Sequence, residues 1–469
     1  MRQLQGFCRF RDAGLTKTRH HLQMAVFRSR RLSEILGASP DVASYSDFAS
    51  LVSNQVGEAS DLDFKMALYG STDSQRRALA GDVAAMANTA GGILILGIKE
   101  DDHARAVSSP GVAISDGEVR RIRSIVGSLV SPLPAFDILT VPEPGRPDHG
   151  FLVVAVPPSP LAPHAVLVDV ALRYPQRNGT TTRYLSEPEV ATAYRQRIAR
   201  AEGQAERALR VETAAMGRLK RADDHVWVVV SLVPDLPGEL LIDQASLMAL
   251  RDEMSRDAFP AILRTNLSWY RFDPAPRRLL LSGWPDSSLQ TDWLAADLHS
   301  DGAGVFAMNA GHGTVDHLPG PAAIVAHDEQ VVNAIMSGLR FLGRHARDRA
   351  GAGGNALIRG QIRRDDHNVY LGPGGRGYEA VTGHVLPVPG RAAEAAASLD
   401  SLAEDGPDLL AATYLLASEI FQEFGLPEAS QLTRDGRLRR KYWSSYRHPE
   451  LEAWAASAGV TVSDETLSG

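Results

Sequence analysis

A chain of 469 residues is too long for one ordinary core, so two or three domains are expected. Its 44% hydrophobic and 22% charged residues exclude a disordered polymer, and no apolar run approaches the roughly 18 residues of a membrane span. A formal net charge of −7 excludes a global pull toward nucleic acid and leaves only a local basic patch for that role.

The single cysteine, Cys8, excludes an intrachain disulfide framework and a Cys-based zinc cluster, and a cytoplasmic location is the default expectation. Arginine supplies 44 of the 49 basic residues, which with abundant Ala and Gly suggests a high-GC bacterial genome. Against that bias a compact ammonium at Lys65 stands out.

In chain order, residues 1–31 form a basic arm without the apolar core of a secretory signal; a disordered terminus or a true start at Met24 accounts for it at least as well as a nucleic-acid arm does. Residues 32–55 read as short amphipathic helices. The period of Leu79, Val83, Met86, Ala87 and Ala90 predicts a helix over 75–90, stopped by Gly91-Gly92. Ile93–Ile98 is a short apolar run rich in β-branched residues, as in a strand buried on both faces. A helix over 118–130 follows, then strands over 136–141, 151–156 and 171–174, with an Asn178-Gly179 turn after them. Ser186 and Glu189 have the spacing of a capping box, opening a long, largely exposed connector helix to about residue 221.

Beyond it, strands are expected over 226–233, 278–281, 356–362 and 369–371, and helices over 243–254, 324–349 and 407–424. The expected fold is α/β (α+β): a small mixed-sheet domain, a connector helix and a second α/β or α+β domain. The segments are a basic arm with short helices (1–49), a first domain (50–200), a connector (201–222) and a C-terminal domain (223–469).

Acidic groups bracket the Gly-Gly strand: Glu58 and Asp63 before it, Glu100, Asp101 and Asp102 after it, with Lys65 beside Asp63. Carboxylates near a lysine are what metal-assisted phosphodiester cleavage needs, the acids holding Mg²⁺ or Mn²⁺ and the cation offsetting charge on the phosphoryl oxygens. Solvated carboxylates with Lys65 as a surface ion pair are the plainer alternative. If Asp63-Phe64-Lys65 is extended, Asp63 and Lys65 share a face and Phe64 meets the core.

The run Glu58-x4-Asp63-Phe64-Lys65, then Ala87-Asn88-Thr89-Ala90-Gly91-Gly92 and Gly97-Ile98, then Pro163-His164 and Arg177-Asn178-Gly179-Thr180 with Glu187 and Glu189, resembles the AlbA_2 domain of Schlafen-like proteins. The resemblance covers roughly residues 50–200. It implies an α/β nucleic-acid-binding module, which in some members is a divalent-metal-dependent endoribonuclease acting on structured RNA such as tRNA, with a role in defence or stress. Carried over, Glu58, Asp63 and one of Glu100, Asp101 or Asp102, with Asp101 favoured, hold the metal, and Lys65 steadies the phosphate. Asp63 stands where the active pattern usually has Glu, which draws the carboxylate back by roughly 1.5 Å.

Lys65, Arg177, Asn178 and Thr180 are the expected nucleic-acid contacts of this region. Arg439, Arg440 and Lys441, interleaved with Tyr442 and Trp443, offer a second surface with phosphate and stacking chemistry, or a solvated charge run beside buried aromatics. No Gly-x4-Gly-Lys-Ser/Thr run occurs, so no nucleotide cofactor is expected. Gly372–Gly377 and Gly311–His317 read as loops. The expected partner is RNA or DNA, with a second copy of the chain also admitted and no membrane. Two other functions fit the same residues: a non-catalytic DNA-binding regulator, and a sensor or assembly protein with an AlbA_2-like output domain.

Overall fold

The computed structural model describes residues 35–37, 43–219, 225–256, 261–285, 293–312, 324–363, 369–372 and 392–466. The basic arm of residues 1–31, His317 and the glycine run over 373–377 lie outside them.

The first sheet is assembled around the apolar strand expected after the glycine pair. Strand β1 (Leu62–Lys65) lies parallel to β2 (Gly92–Leu96), which lies antiparallel to the long strand Arg146–Val156. With β3 (Val112–Ala113) and β4 (Asp137–Glu143) also pairing with that long strand, here β5, the sheet runs β1–β2–β5–β4. β3 continues the β2 side of β5, where Val112 meets Gly150.

Both faces of this sheet are buried, and the alternation along each strand sorts its side chains between them. Leu94, Leu96, Leu152 and Val154 pack under helices α2 (Asp73–Ala87) and α3 (Asp116–Leu129), with Leu79, Val83, Ile122 and Val126. Ile93, Ile95, Phe151 and Val153 pack on the other face against Phe48 and Leu51 of α1 (Tyr45–Ser53). That two-sided burial explains why β2 shows no polar alternation. Thr72 caps α2 by accepting from the Gln75 N–H, and Gly91 turns the chain out of it at φ +79°. A Cβ on Gly91 would lie 2.7 Å from Pro158 Cδ, so backbone freedom and close approach both demand glycine.

The expected hairpin forms from β6 (Pro175–Asn178) and β7 (Thr181–Tyr184), closed by Asn178–Thr181 with Gly179 at φ +63°. Helix α4 (Glu187–Arg218) then opens with the Ser186 N–H donating to the Glu189 carboxylate at 2.8 Å.

The exposed connector is corrected over its second half, where Ala208, Val211 and Ala215, spaced i, i+3, i+7, are buried against Trp227, Val229 and Val233 of β8 (His225–Leu236). β8 sits inside a seven-stranded antiparallel sheet ordered 267–275, 278–285, 294–299, 304–312, β8, 353–363 and 393–398. The alternate residues Val226, Val228 and Val230 face the larger core with helix α5 (Asp328–Arg344) and the helix Pro407–Gln422. The helix expected over 324–349 is three elements: Ile324–His327 is a strand paired with Val369–Gly372, α5 follows, and His345–Arg349 closes it as a π-turn. Gly311 and His312 close the strand 304–312 rather than lying in a loop, paired with Val226 and His225, and only glycine fits at 311, where the backbone carbonyl of Val325 would sit 2.0 Å from a Cβ.

Candidate nucleic-acid site at the edge of the first sheet

β1 is the edge strand, and its alternation decides what the site contains. Leu62 and Phe64 turn into the α1 core, leaving Asp63 and Lys65 on the opposite face as expected from an extended Asp63-Phe64-Lys65. Asp63 is not solvated there. Lys65 Nζ donates to its Oδ2 at 2.5 Å and Arg177 Nη1 to its Oδ1 at 3.1 Å, so each carboxylate oxygen holds one cation. The Asp63 and Arg177 side chains are 3% and 2% exposed, while that of Lys65 is 35% exposed.

Arg177 is placed by its backbone as much as by its charge. Its N–H donates to Thr89 Oγ1 at 3.1 Å, and its Nη2 donates to the Ala59 carbonyl at 3.3 Å. Asn88 fixes the same strand: Nδ2 donates to the carbonyls of His164 and Pro175, both at 2.8 Å, and Oδ1 accepts from the His164 N–H at 2.6 Å. The Asn88-Thr89 pair at the end of α2 therefore stitches the hairpin to the sheet edge. His164 is itself buried, with Nδ1 2.6 Å from the Pro132 carbonyl, and burial holds its pKa below the usual histidine value.

Glu58 stands at the other end of the β1 turn. Its N–H donates to the Ala104 carbonyl, and its Oε1 accepts from the Phe64 N–H at 2.6 Å. Burial, with repulsion from Asp63 and Glu100, pushes its pKa up to about 7 despite the Phe64 N–H and Lys65. Burial likewise raises Asp82 on α2, which accepts from the Tyr69 hydroxyl at 2.5 Å and feels the charge of Asp63. Burial draws Lys65 down, but Asp63 outweighs it and the net shift is upward.

The structure thus brings together Glu58, Asp63, Lys65 and Arg177 and adds Asp82, Tyr69 and Glu100. Asp101 takes a different role from the one expected. Its Oδ1 accepts from the N–H groups of His103 and Arg105, both at 2.9 Å, closing the turn of the ribbon formed by Lys99–Glu100 and Ala106–Ser108. Those bonds, that from Arg105 foremost, lower its pKa. Glu100 is the acid after β2 whose charge reaches Glu58.

Arg177, expected to touch nucleic acid, is instead buried on Asp63, because β6 runs under the end of α2 rather than over the surface. Asn178 and Thr180 are exposed at the hairpin turn, together with Thr181, Thr182 and Tyr184. Met66, just past Lys65, is also exposed.

The second basic run is largely neutralised. Arg439 bonds to Glu428 and the Leu432 carbonyl, and Arg440 bonds to Asp464 and Glu452. Lys441 is exposed and Trp443 is buried in the larger core, so this stretch fits an ion-paired face beside core aromatics.

A divalent ion at the sheet edge would need free carboxylate oxygens. Both oxygens of Asp63 are held by cations, Oε1 of Glu58 by the backbone and Oδ1 of Asp101 by its turn. Among the described residues no group of three or more His, Cys, Asp or Glu side chains is placed to hold a metal ion.

Asp82 and Tyr69 escaped the sequence reading, although a carboxylate beside Val83 in an apolar helical stripe was a signal for the first of them.

Among solved structures, the chain is similar to the DIP2311 protein from Corynebacterium diphtheriae, at 19% identity and a TM-score of 0.24, over 36% of this chain and 29% of that one. It is also similar to the N-terminal domain of a RecG-related protein from Nitrosomonas europaea, at 22% identity and a TM-score of 0.22, over 31% of this chain and 96% of that one. No curated protein matches it. No helix among the described residues is long and apolar enough to cross a membrane. The family model described as Schlafen, AlbA_2 matches residues 58–186, which takes in Glu58, the Asp63–Arg177 pair, Asn88-Thr89 and the whole hairpin. Residues 58–186 of this chain are a Schlafen AlbA_2 domain.

Proposed function

We propose that this domain binds nucleic acid, RNA or DNA, without cleaving it, through Lys65 and the exposed turn of the β6–β7 hairpin. The AlbA_2 assignment points to a nucleic-acid-related function. The observation that carries the non-catalytic reading is the state of Asp63, whose oxygens are held by Lys65 and by the buried Arg177. A carboxylate neutralised twice is a poor ligand for a divalent cation but a good anchor for the hairpin beside it. Asn178, Thr180, Thr181 and Thr182 supply hydroxyl and amide groups for phosphate and sugar contacts, Tyr184 supplies a stacking face, and Lys65 supplies charge at the rim.

Fluorescence anisotropy of the purified full chain with tRNA and with a duplex DNA, over a range of salt concentrations, tests this reading. Binding should weaken steadily with salt, and a Thr180→Glu/Thr182→Glu variant should bind roughly tenfold or more weakly. Incubation of the same tRNA with Mn²⁺ should leave it intact. Cleavage that disappears in Glu58→Ala would overturn the non-catalytic reading, and binding unchanged by the hairpin variant would overturn the assignment of the surface.

A further inference from the structure

We propose that the cleft where α4 passes between the two sheets is a binding site for a small phosphorylated molecule with a flat apolar body, of the mononucleotide class. The cleft has a volume of about 570 Å³, within the roughly 300–1,000 Å³ range of small-molecule sites. Three parts of the molecule form most of it: the loop leaving β5 at Pro157–Leu161, the α4 segment from Arg197 to Arg207, and the end of β8 with residues 354–355; Ala135 and Asp301 complete the lining.

Its chemistry is divided by wall. Arg197, Arg200, Gln204 and Arg207 lie at i, i+3, i+7 and i+10 on α4, one polar stripe along a single helix face. The opposing walls are proline: Pro157, Pro158 and Pro160 on one side, Pro234 and Pro237 on the other. Such walls are apolar and conformationally fixed, and they suit a ring more than a second charge.

The acids of the cleft are already engaged. Asp301 accepts from Arg207 Nη2 at 2.9 Å and from the Ala303 N–H at 3.2 Å, and Asp235 accepts from Gln204 Nε2 at 2.7 Å. Arg197 and Arg200 differ from Arg207: among the described residues neither has an ion-pair partner. Two guanidinium groups three residues apart, facing a cavity whose carboxylates are satisfied, make a fork for phosphate oxygens.

The location gives such a ligand a consequence. The Ser159 N–H donates to the Ala87 carbonyl, next to the Asn88-Thr89 pair that holds Arg177, while Gln204 joins α4 to the Val233 carbonyl of the second sheet. A molecule held in the cleft would therefore bear on the AlbA_2 hairpin and the C-terminal sheet together. This inference does not rest on the nucleic-acid reading above, and its test uses no nucleic acid.

Isothermal titration calorimetry of the full chain with AMP, ATP and inorganic pyrophosphate provides that test. At least one nucleotide should bind with one-to-one stoichiometry, and pyrophosphate should bind at least tenfold more weakly because it leaves the proline walls unfilled. The Arg197→Gln/Arg200→Gln variant should lose roughly 30-fold in nucleotide affinity. Arg195→Gln, an exposed change on the same helix that does not line the cleft, should lose less than twofold. The site is overturned if none of the three ligands binds at millimolar concentration, or if the double variant binds as wild type does. It is equally overturned if Arg195→Gln weakens binding as much as the double variant. Pyrophosphate binding as tightly as the nucleotides would overturn the nucleotide class.

Discussion

The two largest sheets among the described residues solve the same problem with buried ions put to different uses. Each sheet is buried on both faces by helices, and each has a carboxylate–arginine pair removed from water. In the C-terminal sheet the pair is Glu212 and Arg359, 7% and 9% exposed, between the second half of α4 and the strand 353–363, which lies next to the sheet edge. Glu212 also accepts from Ser231 Oγ at 2.5 Å and from Gln361 Nε2 at 3.1 Å, and Arg359 reaches Glu394 as well. The network clamps the helix to the sheet and opens to solvent only at Glu394. In the AlbA_2 domain the pair is Asp63 and Arg177, on an edge strand, one residue from an exposed hairpin turn and in contact with the half-exposed Lys65. A pair covered by a helix holds structure, whereas one at a rim also sets the charge and position of a surface. The contrast teaches that burial of an ion pair does not by itself identify a site.

The largest expected effect breaks the structural member of the comparison. Glu212→Ala leaves Arg359 buried with a single remaining carboxylate and strips Ser231 and Gln361 of their acceptor. A loss of about 3–5 kcal/mol is expected, read as a fall in the midpoint of urea unfolding. Nucleic-acid affinity measured well below the unfolding transition should remain close to wild type.

Next comes the rim pair. Asp63→Ala should cost about 3 kcal/mol because Arg177 is left charged and buried, while the double variant Asp63→Leu/Arg177→Met should recover most of that loss. The double variant should nonetheless bind nucleic acid less well than wild type, since Lys65 and the hairpin lose their common anchor. If the stability loss in Asp63→Ala is below 1 kcal/mol, the pair is not buried in solution and the distinction between the two sheets fails.

How much of this was legible beforehand follows from the range of the forces involved. The β2 strand, the glycine stop, the Ser186 cap and the Asn178-Gly179 turn are set by neighbours within a few residues, and their patterns are visible in the sequence. The placement of Asp63 and Lys65 on one face was equally local. The sequence alone leaves Arg177 on the surface, because its partner lies 114 positions earlier in the chain and no local period carries that information. The sequence makes the second half of α4 look exposed for a related reason. Its buried stripe is made of Ala208, Val211 and Ala215, side chains too small to give a strong apolar signal until a flat sheet is set against them. Glu100 and Asp101 are adjacent in sequence, and only the ribbon turn decides which one faces Glu58.

The smallest effect concerns Glu58, and its sign distinguishes the rim from an ordinary surface. Its folded-state pKa of about 7 lies above the roughly 4.3 of an unfolded glutamate, so folding favours the protonated form. The stabilisation is complete below about pH 4 and is lost as the pH rises through 7. Glu58→Gln keeps an acceptor for the Phe64 N–H and removes the titration. The melting temperature of Glu58→Gln relative to wild type should therefore climb between pH 4.5 and 8, by a few degrees at most, and level off above that range. Over the same interval wild-type affinity for nucleic acid should fall, because the ionised Glu58 repels phosphate beside Lys65, whereas that of Glu58→Gln should stay flat. A melting-temperature difference that does not change with pH would mean that Glu58 titrates as a solvated carboxylate, and the sheet edge would then be an ordinary charged surface.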